Sequence, residues 1–73
     1  SFLQGRLEDA RQAYEAALAA GPADAGMLVN LARVLSRLGQ VAEAKKIFQQ
    51  AADISPRVVT LYPDVAAAVG IEQ

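Results

Sequence analysis

The sequence predicts an all-α fold built of short antiparallel helical hairpins. Three observations lead there. The chain is rich in alanine, the strongest helix former, and β-branched residues are sparse before Val58. Glycine and proline punctuate it at intervals of helical length, at Gly5, Gly21-Pro22, Gly39, Ser55-Pro56 and Gly70. Between these marks apolar residues recur three and four apart, the period of a helix with one buried face.

The first segment carries a stripe of Leu7, Ala10, Tyr14, Ala17 and Leu18. Gly5 reads as the turn before it, with Phe2 and Leu3 as the remnant of an earlier helix. Glu8 and Asp9 then fall in the first turn, where acids favour the helix dipole. Gly21 suits the left-handed position after a helix, and Pro22 cannot continue it. In the second segment Asp24 is the expected N-cap, and Leu28, Leu31, Ala32, Leu35 and Leu38 share a face up to Gly39. The third segment repeats the pattern with Val41, Ala44, Ile47, Phe48, Ala51 and Ile54, and ends at Ser55-Pro56. The fourth is shorter. Thr60 is its expected cap, Pro63 sits in the first turn where its missing N–H is harmless, and Tyr62, Val65, Ala66 and Val69 form the stripe. Connections of only a few residues make successive helices antiparallel neighbours.

Composition removes whole classes of function. The chain has 73 residues and a formal net charge of −1, where a nucleic-acid binder of this size would carry a basic excess. The apolar fraction is 53%, but no run of about 18 apolar residues offers a membrane span. Histidine and cysteine are absent, which removes disulfides, zinc sites, thiol nucleophiles and histidine bases. Ser1, Ser36 and Ser55 have no histidine to activate them, and no carboxylate pair is set in an apolar surround. The reading is therefore noncatalytic, with no cofactor, no metal and no nucleic-acid partner. No signal peptide is apparent, and the compartment stays open between cytoplasm and periplasm. The chain opens on Ser1 rather than Met, and a piece of something longer is the expectation.

An internal repeat organises the segments. Gly5 and Gly39 are 34 residues apart, and so are Leu7 and Val41, Ala10 and Ala44, Tyr14 and Phe48, Ala17 and Ala51, and Pro22 and Pro56. The same offset carries Leu28 onto Tyr62, Leu31 onto Val65, Ala32 onto Ala66 and Leu35 onto Val69. The third segment thus repeats the first, and the fourth repeats the second.

The run from Asn30-Leu31-Ala32 through Leu35, Gly39, Val41, Ala44, Phe48 and Ala51 to Pro56 resembles one whole repeat of the tetratricopeptide family. Gly5, Leu7, Ala10, Tyr14, Ala17 and Pro22 resemble the second helix of a preceding repeat. Tyr62, Val65, Ala66 and Val69 resemble the first helix of a following one. Leu28 and Leu35 stand where the family often has aromatics. The resemblance implies a right-handed solenoid of about two repeats. Residues 1–24 are the second helix of one repeat, 25–58 a complete repeat, and 59–73 the first helix of the next or a cap.

Ala10, Ala17, Ala44 and Ala51 lie seven apart within their helices, so each pair stays on one face and lets backbones approach closely. Tyr14 and Phe48 plug the gap between them, and Ala32 receives the same approach from the other side. These seven residues are read as packing. The resemblance further implies that the first helix of each repeat lines a concave surface. On the helix from about Asp24 to Leu38, that face holds Asn30, Arg33, Ser36 and Arg37. Arg33 and Arg37 are like charges four apart, an arrangement that local stability does not favour. A partner bearing carboxylates would explain it, because Arg donates two parallel N–H groups to one carboxylate. One binding mode of the family holds a peptide's terminal carboxylate between asparagines and basic residues. Asn30 matches one such asparagine, while Thr60 and Asp64 stand where basic residues are expected. The expected function is binding of a protein or peptide, with an acidic one as the candidate, in a groove. The alternative is a structural segment of a repeat scaffold that self-associates as a homo-oligomer.

Overall fold

The structure is a computed structural model that describes residues 2–71. Ser1, Glu72 and Gln73 lie outside the described residues. Five helices follow in order: α1 (Phe2–Ala20), α2 (Ala25–Arg37), α3 (Val41–Ile54), α4 (Val58–Leu61) and α5 (Pro63–Ala68). The described residues include no strand, and the helices pair as hairpins.

Local signals set most helix ends. Asp24 caps α2, its side-chain oxygen accepting from the Met27 N–H at 3.1 Å. At the other end Gly39 takes φ +84°, a left-handed conformation that costs glycine nothing. The N–H groups of Gly39 and Gln40 then turn back to the carbonyls of Ser36 and Leu35. That pairing satisfies carbonyls the helix would leave open. Gly70, at φ +80°, ends α5 by the same device, with Gly70 bonded to Ala67 and Ile71 to Ala66.

α2 is the centre of the molecule and touches each of the other four helices. Its apolar arc is therefore wider than a single stripe. Val29 and Val34, which lie off the predicted stripe, are buried beside Leu28, Leu31, Ala32 and Leu35. From α3 the core receives Ala44, Phe48 and Ala51, each with no exposed surface. Val58, Val65, Ala66 and Val69 close it from the C-terminal side. Burying a side chain such as Leu35 or Phe48 contributes about 1.5–3 kcal/mol. Two alanines flank Phe48 on α3, so the ring fills the space that their small side chains leave.

Several expectations are corrected. Gly5 is no turn: it lies inside α1, and Phe2 and Leu3 belong to that same helix. A lone glycine costs a helix about 1 kcal/mol relative to alanine, too little to stop it without a proline beside it. With the helix starting at Phe2, Glu8 and Asp9 fall beyond its first turn. Glu8 instead accepts from Arg11, which also reaches Glu15 at 2.8 Å. Thr60 does not cap the last segment but lies within α4. That segment is split at Tyr62, because Pro63 lacks an N–H and pushes the residue before it out of the helical region. Val58 opens the single turn of α4 and is buried.

Burial is also unequal between the related helices. Ala44 and Ala51 are fully buried, whereas Ala10 is half-buried and Ala17 exposed. Tyr14 packs against the core from its edge, half-buried. α1 holds no fully buried residue, because the helix it packs against is α2. α3 lies against both α2 and α4. Val41 and Ile54, at the two ends of α3, remain about half exposed, at 45% and 51%.

Candidate functional site

Asn30, Arg33 and Arg37 lie three and four residues apart on α2 and so share one helix face. α5 runs beside that face. Between the two helices is a groove of about 200 Å³, lined by Arg33, Ser36 and Arg37 of α2 and by Asp64, Val65 and Ala68 of α5. Three of the four residues singled out in the sequence therefore meet at one place. Asn30 joins them through Arg33.

The arginines differ in their surroundings. One terminal nitrogen of Arg33 donates to Asn30 Oδ1 at 3.3 Å, and the other to Asp64 Oδ2 at 3.4 Å. Its guanidinium also stands 6.0 Å from the centre of the Tyr62 ring. Asn30 and Asp64 are themselves 34 residues apart, so Arg33 is held between two repeat-related positions. The Arg37 side chain is exposed and makes no hydrogen bond or ion pair among the described residues. It sits in the last turn of α2, where a cation favours the helix dipole.

Ser36 has a local task. Its hydroxyl donates to the carbonyl of Arg33 at 2.8 Å, one turn back on the same helix. With its proton committed, it can only accept from a bound group. Asn30 uses its carbonyl oxygen on Arg33 and keeps its amide N–H groups. Arg37 keeps all its guanidinium donors for the groove, whereas Arg33 has two of its five committed, and Val65 and Ala68 form an apolar wall opposite.

Asp64 is the groove residue that sequence reasoning missed as a functional group. It registered only as an acid at a position where a base was expected. The signal that would have found it is the 34-residue offset, which places it at the position of Asn30 on the neighbouring helix. Away from the groove, Lys45 and Lys46 are exposed on α3. Among the described residues no group of three or more acidic side chains is placed to hold a metal ion. No helix among them is long and apolar enough to cross a membrane.

Helical hairpins related by a 34-residue period, with buried Ala32, Ala44 and Ala51 in the core and a polar groove between equivalent helices, define a helical-repeat protein. The family model described as tetratricopeptide repeat matches residues 1–69, and the chain belongs to that family. Its members in general mediate protein–protein interaction and are noncatalytic modules. Comparisons with curated proteins and with solved structures gave no match.

Proposed function

We propose that the chain is an interaction module whose α2–α5 groove takes an acidic peptide segment of a partner protein. The observation that carries this reading is Arg37. Among the described residues it is an exposed cation with no acid paired to it, beside the apolar wall of Val65 and Ala68. A glutamate or aspartate side chain, or a free C-terminal carboxylate, accepts two parallel hydrogen bonds from such a guanidinium. Apolar atoms next to that carboxylate then lie against Val65 and Ala68. An exposed ion pair contributes only about 0–1 kcal/mol, so one groove binds weakly and gains from neighbouring repeats. In this reading residues 25–58 are a complete repeat, 1–24 the second half of the one before, and 59–73 the first half of the one after.

The test is a titration of the 15N-labelled chain with an acetylated, amidated Ala-Ala-Glu-Ala-Ala-Ala peptide at low salt, followed by NMR. Amide shifts should concentrate at Arg33, Ser36, Arg37, Val65 and Ala68. Arg33→Glu with Arg37→Glu should remove them and leave helicity unchanged. If the shifts survive the double reversal, α2's polar face is solvated surface and a partner binds elsewhere.

A second reading is favoured by the uncovered face of α1. Ala17 is exposed where Ala51 is buried, and Phe2 and Leu3 are 77% and 65% exposed. Such a face suits a scaffold segment that stacks on another copy of itself. Sedimentation across a concentration series separates the two readings, since self-association needs no peptide.

A further inference from the structure

We propose that Asp64 sets the specificity of the α2–α5 groove, acting as an internal competitor that keeps a run of acidic side chains from binding better than a single one. The proposal rests on the acidic-peptide reading and deepens it. Its basis is the division of the groove into two unlike halves. At one half, Asp64 faces Arg33 and neutralises it. One turn further along both helices, Ala68 stands in the position of Asp64 and Arg37 in that of Arg33. No acidic side chain among the described residues neutralises the cation there.

The Arg33–Asp64 pair is loose. Its separation of 3.4 Å exceeds the usual length of a charge-assisted hydrogen bond, and the Asp64 side chain is 66% exposed. The carboxylate therefore keeps free lone pairs that project its charge into the groove. A first partner carboxylate at Arg37 meets no such opposition at hydrogen-bond range. A second one, placed a turn earlier, meets Asp64. It must either displace that side chain from Arg33 or lie beside a like charge. Asn30, on the far side of Arg33, keeps its amide N–H groups, but it does not line the groove and so gives a second carboxylate no donor there. A run of acidic residues is thus no better a ligand than one acid set among small apolar residues.

The experiment compares two amidated, acetylated peptides, Ala-Ala-Glu-Ala-Ala-Ala and Glu-Glu-Ala-Glu-Glu-Ala, titrated into the 15N-labelled full chain at low salt. The parent chain should bind both with similar affinity. Asp64→Asn keeps the shape and removes the charge, and should raise affinity for the multiply acidic peptide by about three- to tenfold, with a much smaller effect on the singly acidic one. Arg37→Gln should abolish binding of the singly acidic peptide to the parent chain. If Asp64→Asn changes both peptides alike, or neither, while Arg37→Gln still abolishes binding, Asp64 is not a specificity residue and the groove reading stands. If the parent chain and Asp64→Asn bind neither peptide, both the groove reading and the role of Asp64 are overturned.

Discussion

Phe48 and Tyr14 stand 34 residues apart at matching places on α3 and α1, yet Phe48 has no exposed surface and Tyr14 is only half-buried. The rings are similar in size and each lies between two alanines. What differs is the number of helices around them. Phe48→Ala should leave a closed cavity and cost about 3–5 kcal/mol. Tyr14→Ala opens toward solvent and should cost clearly less. Urea unfolding of the two variants checks this, and equal losses would refute the difference in packing.

Ala44 and Ala10 give a matching test with the opposite change of volume. Ala44 is fully buried against neighbouring helices, so Ala44→Leu forces added methylenes into a closed contact and should cost about 1–3 kcal/mol. Ala10 is half-buried, and Ala10→Leu should be near neutral because the longer side chain can turn outward. Thermal melts of both variants read the result. A large loss at Ala10 would mean that α1 has a second partner.

Gly39 and Gly5 should respond with opposite sign to the same replacement. No atom lies within 4 Å of a Cβ added at either position, so space does not decide. Gly39 has φ +84°, where Ala is strained by about 1–2 kcal/mol, and Gly39→Ala should destabilise by that amount. Gly5 is inside α1, where Gly5→Ala should stabilise by up to about 1 kcal/mol. A loss of stability at Gly5 would restore the turn that its sequence position first indicated.

The uncovered face of α1 predicts concentration dependence. The melting temperature of the chain should rise with protein concentration, and an apolar-surface dye should bind at low concentration. Ala17→Glu places a charge on that face and should weaken both effects. A concentration-independent melt without dye binding would show that the face needs no cover.

Much of this molecule is legible from residues that act within a few positions of one another. Asp24 caps α2, Gly39 ends it, and the Ala44–Phe48–Ala51 stripe states which side of α3 is buried. Each depends on a hydrogen bond or a helical period spanning at most two turns. The 34-residue spacing adds the relation between hairpins without any coordinates. The polar face of α2 could be named for the same reason, because Asn30, Arg33 and Arg37 share a side of one helix.

The tertiary arrangement decided the rest. Ala17 and Ala51 have the same local sequence character, and only the helices packed around them make one exposed and the other buried. Val29 and Val34 lie off the stripe that the period picks out, and they are buried only because α2 is enclosed by its neighbours. Arg33 and Arg37 were equivalent in sequence. They became different when α5 brought Asp64 to one and left Ala68 opposite the other. The charge left open on an arginine depends on which carboxylate comes within hydrogen-bond reach, and here that carboxylate lies 31 residues away in sequence. Helical periodicity cannot carry that information, since it fixes a side chain's direction on its own helix but not what stands across from it.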